Sequence, residues 1–200
     1  MDQGAIWQAI PPYKTAIPSE RMKALEQRIE YQANTSAFLF ITVKFHYFCN
    51  PKCRSMIRKI EQSDYPRLAE IWESAVLHTH DFLKKEDFLY YKEQLPSYFP
   101  HVTLRGFEQE DCLAGFIGIA GDNIEMLFVD NNHRGKGIGK QLILYAINEL
   151  HVAKVDVNEQ NTQAVDFYAH LGFRVVGKSE TDNEGKPYPI LHLQLQPIAQ

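Results

Sequence analysis

The chain has 200 residues, 44% hydrophobic and 23% charged, a balance that fits one soluble globular domain with a sizeable core. Its net charge of −4 argues against general affinity for nucleic acid. The three cysteines, Cys49, Cys53 and Cys112, are too sparse and odd in number for a disulfide framework, and Cys49 and Cys53 lack the second pair that a zinc site needs, so no metal is expected.

The first residues lack the basic start and long apolar run of a secretory leader. The longest apolar stretch, Phe38–Phe48, is broken by Lys44 and His46 and falls short of the ~20 residues that span a bilayer. The expected location is the cytoplasm, with no membrane partner. Pro11, Pro12 and Pro18 break the start, Ser19 caps a short polar helix over Met22–Gln32, and Asn50-Pro51 ends the β-prone stretch. Nothing here suggests chemistry. Residues 1–54 are expected to be a dispensable N-terminal extension, disordered or the product of an upstream start, with Met56 a sensible initiator. The rival expectation is an added strand or dimer arm built from Phe38–Phe48.

Residues 55–200 read as one domain. Ile57–Ile60 is a first strand. Ser63-Asp64 caps a helix over Pro66–Leu77, whose Leu68, Ile71, Trp72, Ala75 and Val76 recur at helical spacing. A second helix covers Lys84–Leu95 and stops before Pro96. His101–Arg105 and Leu113–Ala120 form a hairpin across the acidic turn Glu108–Asp111, and Ile124–Val129 is the central strand. An amphipathic helix follows over Gln141–Leu150, then strand Ala153–Val157, helix Asn161–His170, strand Phe173–Val176 and a last strand Ile190–Leu195. Strands mixed with helices on both sides predict an α/β fold with a sheet of mixed, mostly antiparallel direction.

Between the central strand and the amphipathic helix lies His133-Arg134-Gly135-Lys136-Gly137-Ile138-Gly139-Lys140. A helix start carries N–H groups without internal partners and partial positive charge, three glycines permit a close backbone wrap, and Arg134, Lys136 and Lys140 add full charges. The order strand, loop, helix predicts a cradle for phosphate or pyrophosphate. It is not a nucleotide P-loop: Arg134 stands where the first glycine belongs, and Gln141 offers no hydroxyl for Mg²⁺. A dinucleotide fingerprint begins well at Gly135-Lys136-Gly137, with Asp156 near the right distance, but Lys140 occupies its third glycine position.

Arg134-Gly135-Lys136-Gly137-Ile138-Gly139 resembles the pyrophosphate loop of the GNAT family, the acyl-CoA-dependent N-acetyltransferases. Asn158 after strand Val155–Val157, then Asn161-x-x-Ala164-x-x-Phe167-Tyr168 and Leu171-Gly172-Phe173, continue the pattern in order. The resemblance covers residues 55–200. Thr79–Leu83, Asn158–Asn161 and Gly185–Pro189 look most like small bacterial members of that family. It implies a sheet splayed between its fourth and fifth strands and acetyl-CoA as cosubstrate. It also implies direct acetyl transfer, in a ternary complex, to a primary amine on a small molecule or a protein lysine. A module that binds acyl-CoA as a sensor is the alternative of different class. Monomer and homodimer are both open.

Residue roles follow. Arg134, Gly135, Lys136, Gly137, Ile138, Gly139 and Lys140 would bind cofactor, with Asn158 and Asn161 hydrogen-bonding it. In the resembled family the exposed backbone of Leu127, Phe128 and Val129 pairs with the pantetheine arm and donates to the carbonyl. Tyr168 shares a helix face with Asn161 and Ala164, and the resemblance makes it the general acid for the departing thiolate; otherwise it is a core aromatic. Glu125 is the best carboxylate to take the amine's proton, the alternatives being an edge residue or a salt bridge. His78 and His80 are rival bases or substrate contacts, or ordinary loop residues. Phe82, Phe88, Tyr90 and Tyr91 are read as packing rather than a substrate cage.

Overall fold

The computed structural model describes residues 55–196. The expectations for residues 1–54, including the Met22–Gln32 helix, the Phe38–Phe48 strand and the Cys49–Cys53 spacing, lie outside the described residues.

In chain order the elements are β1 (Ser55–Lys59), α1 (Tyr65–Thr79), α2 (Lys85–Tyr98), β2 (Thr103–Gln109), β3 (Cys112–Ala120), β4 (Asn123–Val129), α3 (Ile138–Leu150), β5 (Lys154–Asn158), α4 (Thr162–His170), β6 (Phe173–Ser179) and β7 (Ile190–Leu195). Among the described residues, seven strands form one sheet in the order β1-β2-β3-β4-β5-β7-β6. Every neighbouring pair is antiparallel except β4–β5, which is parallel. The expected mixed, mostly antiparallel sheet is present, with its parallel step between the fourth and fifth strands.

The β2–β3 turn is tighter than its acidic composition suggested. Glu110 and Asp111 adopt φ of 53° and 61°, the left-handed pair that joins two strands with matching twist. Adjacent residues of β3 face opposite sides of the sheet. Phe116 packs with Leu68, Ile71, Trp72 and Met126 under α1, whereas Ile117 packs with Leu142, Ile143, Val155 and Phe173 under α3 and α4. The apolar period of α1 read from the sequence is the one buried.

One boundary is corrected. The second helix does not stop before Pro96 but runs through it to Tyr98. Proline there forfeits one i→i−4 hydrogen bond. Leu95 and Phe99, 4% and 1% exposed, hold the chain against the core on either side and outweigh that loss. The phosphate-loop helix also begins earlier than the periodicity indicated, at Ile138 rather than Gln141.

Candidate active site

The parallel step opens the sheet. β4 and β5 pair only at Asn123–Lys154 and Ile124–Val155 and then diverge. The divergence starts at a bulge: on β3, Gly118 faces Met126 and Ile119 faces Ile124, so Glu125 is an extra residue without an opposite number. A bulge bends its strand and re-aims its side chains. The gap forms part of a cleft of about 520 Å³ that runs from the glycine loop past both strand edges to α1 and α2.

At one end lies the loop. Gly135 and Gly137 take φ of 75° and 76°, where a side chain is strained, although a Cβ at either position would meet nothing within 4 Å. Backbone conformation therefore requires the glycines, and no neighbouring protein atom would obstruct a side chain there. Gly137 is the N-cap of α3 and supplies no side-chain cap. Gln141 makes the first turn's bond, to the Gly137 carbonyl at 3.1 Å, which leaves the N–H groups of Ile138, Gly139 and Lys140 without helical partners. Such an end can accept an anionic group. Arg134 donates to Gln163 at 2.8 Å on α4, beside the cleft. Arg134, Gly135, Gly137, Ile138, Gly139 and Lys140 line the cleft, whereas Lys136 is exposed outside it.

The middle is formed by Leu127, Phe128 and Val129 on one side and by Asn158 and Asn161 on the other. Asn161 caps α4, its side chain accepting from the Ala164 N–H at 3.2 Å. Tyr168 faces the same cleft from α4 and is 5% exposed. Its ring packs edge-on against Phe167 and Phe173, so this tyrosine is a core aromatic that also borders the cleft. Burial pushes the Tyr168 hydroxyl above the ordinary phenol range and keeps it protonated.

Glu125 is 6% exposed and borders the cleft. Burial, opposed by a hydrogen bond from Asn123 and helped by the charge of Asp156, raises its carboxyl to about 7. Asn123 Nδ2 donates to Oε1 at 2.6 Å, and Oε2 has no partner among the described residues. A buried carboxylate with one open oxygen and a proton affinity near neutrality is suited to general base work.

At the far end the two histidines separate. His80 borders the cleft, its Nδ1 2.7 Å from the Thr79 hydroxyl, and burial lowers it to about 4, against the pull of Asp81. His78 points away, exposed, with Nδ1 2.8 Å from the Ser74 carbonyl, and is not among the lining residues. The aromatic group divides too. Phe88 stacks on Trp72 in the core, whereas Phe82 and Tyr91 line the cleft.

Three groupings had not been anticipated. Arg67 and Ser74 of α1 hold buried Asp130, which caps the turn leading into the loop. The run Asp130-Asn131-Asn132 at a strand end carried that turn signal. Across the cleft mouth, α2 is joined to the loop between β6 and β7. Asp87 accepts from Lys186 and Tyr188, both at 2.5 Å, and Tyr91 donates to Asp182. The third grouping links Asn123 and Asp156 to Glu125. No local pattern marked the last two: apart from Asn123 and Glu125, two positions apart on β4, their partners are 33 to 101 residues apart.

Among the described residues no helix is long and apolar enough to cross a membrane, and no three His, Cys, Asp or Glu side chains gather as a metal site.

Residues 77–189 match the acetyltransferase (GNAT) domain family. The chain is similar to the peptidyl-lysine N-acetyltransferase YjaB of Salmonella typhimurium, at 39% identity over 138 residues, 68% of this chain and 95% of that protein. The fold is similar to the solution structure of apo YjaB from Escherichia coli, with a TM-score of 0.66 and 37% identity, covering 70% of this chain and 97% of that one. It also resembles PaiA N-acetyltransferase from Thermoplasma acidophilum, solved with coenzyme A, with a TM-score of 0.55 and 22% identity over 72% of this chain and 99% of that one; at that identity the likeness concerns the fold. Splayed sheet, uncapped glycine loop and these matches lead to one conclusion: the chain belongs to the GNAT family of acetyltransferases.

Proposed function

We propose that this enzyme transfers the acetyl group of acetyl-CoA to the side-chain amine of lysine residues in proteins. One observation carries the reading: a single cleft is lined by the uncapped glycine loop, by buried Glu125 and by Tyr168. The named activity of the YjaB relative supports lysine as acceptor. So do the walls contributed by Phe82, Tyr91 and Leu95, which suit a four-methylene arm entering between α1 and α2.

The N–H groups of Ile138, Gly139 and Lys140, with Arg134 and Lys140, hold the diphosphate; Asn158 and Asn161 orient the arm that follows. The backbone of Leu127–Val129, which lacks a β5 partner, pairs with that arm and donates to the developing oxyanion. A lysine amine with a pKa of ~10.4 arrives protonated. Glu125 accepts that proton through Oε2, directly or by one water, and the freed amine attacks the thioester carbon. The carbon–nitrogen bond forms as the carbon–sulfur bond breaks. Tyr168 gives its proton to the departing sulfur and recovers one from solvent. His80, neutral at working pH, is a substrate contact rather than the base, and His78 lies too far out for either task. The expected location remains the cytoplasm, where acetyl-CoA is available.

The test is acetylation of a lysine-peptide panel, with product read by mass spectrometry and thiol release. Glu125→Gln and Tyr168→Phe should each slow turnover while coenzyme A still binds. Transfer to free small amines but to no peptide would refute lysine in proteins as the acceptor. Full turnover in Tyr168→Phe would remove that residue from the reaction.

A further inference from the structure

Behind Glu125 runs a chain of polar contacts that reaches the far edge of the sheet. Asn123 Nδ2 lies 2.6 Å from Glu125 Oε1 and 3.3 Å from Asp156 Oδ2. Asp156 Oδ1 is 2.7 Å from His192 Nδ1, and His192 Nε2 is 2.8 Å from Ser179 Oγ. Four strands contribute: Asn123 and Glu125 from β4, Asp156 from β5, His192 from β7 and Ser179 from β6. Register explains the alignment. Asn123 stands opposite Lys154 in the only paired stretch of β4 and β5, and Asp156 stands directly opposite His192.

The chemistry of each group orders the chain. A carboxamide nitrogen has two hydrogens, and here each faces a carboxylate oxygen, which accepts only. The amide is thereby oriented, with its own Oδ1 left without a partner among the described residues. On the other side, Asp156 accepts from His192, so Nδ1 carries a hydrogen, and Nε2 of the same ring contacts the Ser179 hydroxyl.

We infer that Asp156, braced by His192, is a positioning residue for acetyl transfer: through the carboxamide of Asn123 it holds Glu125 with Oε2 open to the acceptor amine. The inference rests on the assignment of Glu125 as base. Burial does most to raise the proton affinity of that base, and two further effects act on it in opposite directions. The hydrogen bond from Asn123 favours the ionised carboxylate, while the nearby charge of Asp156 favours the protonated acid. The other titratable or charged groups bordering the cleft are His80 at the end of α1, Tyr91 and Tyr98 on α2, Tyr168 on α4, Asp182 and Tyr188 from the β6–β7 loop, and His133, Arg134 and Lys140 at the cofactor end. The charge of Asp156 adds to the rise in the proton affinity of Glu125.

The experiment is the pH profile of kcat/KM for a lysine peptide at saturating acetyl-CoA, in wild type, Glu125→Gln, Asp156→Asn and Asn123→Ala. Melting temperature and coenzyme A titration verify that each variant is folded. Wild type should show an acid limb near pH 7 that disappears in Glu125→Gln. Asp156→Asn keeps the shape and removes the charge, so the limb should move down by ~0.5–1 pH unit. Asn123→Ala removes the donor, so the limb should move up, and kcat should fall ~10-fold or more with KM little changed. A merely structural Asp156 would lower the melting temperature and leave the limb in place. If the limb vanishes in Glu125→Gln but stays fixed in the other two, or moves the same way in both, the inference fails and the base assignment stands. If the limb survives Glu125→Gln, both fall.

Discussion

Arg67 on α1 donates to Asp130 at 2.7 Å, across 63 residues of chain, and so fastens the first helix to the turn from which the phosphate loop departs. Asp130 is 5% exposed and also accepts from the Asn132 N–H at 3.0 Å and the Ser74 hydroxyl at 3.3 Å. Burial works against its ionisation, but the Asn132 N–H, Arg67 and Ser74 together hold its carboxyl below the usual carboxylate range. The turn that leads into the glycine loop is thus anchored by a buried charge.

Arg67→Ala leaves that carboxylate short of its charged donor and should lower stability by roughly 2–3 kcal/mol at pH 7. Because the native pKa of Asp130 is depressed, its contribution is present above the unfolded value of ~3.9 and lost as pH falls through the native one. Denaturant unfolding should show a gap between wild type and variant that persists from pH 7 to 5 and narrows below about 4.

Gly137→Ala should weaken coenzyme A binding ~10-fold or more by calorimetry, since a residue with a Cβ at a φ of 76° costs about 1–2 kcal/mol and disturbs the start of α3. Gly139→Ala is the contrast. Its φ is ordinary and its Cβ would rest 3.5 Å from the Phe167 ring, so a smaller loss is expected. Equal losses would mean that contact at the cradle, not backbone conformation, governs affinity.

Tyr168→Phe retains the ring contacts with Phe167 and Phe173, at 5.3 and 5.8 Å between centroids, and should fold normally. Turnover should fall about 10²-fold with the coenzyme A dissociation constant nearly unchanged. Single-turnover kinetics at neutral pH would read the difference.

Glu125→Gln should be more stable than wild type in alkaline solution. The carboxyl's native value of about 7 exceeds its unfolded value of ~4.3, so the folded protein binds the extra proton between them and wild type loses stability as pH rises through that window. Above pH 7 the variant avoids a cost on the order of 3 kcal/mol, and the advantage should vanish near pH 4. Thermal melts at pH 5 and 8.5 test the sign.

Asp87→Ala releases Lys186 and Tyr188 together and should loosen the strap over the acceptor end of the cleft. The peptide KM should rise several-fold while coenzyme A affinity, set at the other end, stays within about twofold. A change in cofactor affinity instead would show that the strap acts on the whole cleft.

Much of this molecule was legible from local pattern. The period of Leu68, Ile71, Trp72, Ala75 and Val76 named the buried face of α1, and three glycines between a strand and a helix named the left-handed loop that opens α3. Asn161 was readable as a cap, and Tyr168 as its partner on one face of α4. These signals are short-range, because capping, helical periodicity and left-handed turns depend on residues a few positions apart. Pro96 misled because its local penalty is real but smaller than the burial gained by Leu95 and Phe99.

What local pattern could not supply is everything that depends on which strand lies beside which. The insertion of β7 between β5 and β6 sets His192 against Asp156, and the bulge at Glu125 decides where β4 and β5 part. Only the folded sheet gives Glu125 a buried site with one open oxygen, separates His80 from His78, and brings Arg67 to Asp130. Chain order carries the residues and the backbone turns; proton affinities and the shape of the cleft arise from desolvation and neighbouring charge, which exist only once distant segments have packed together.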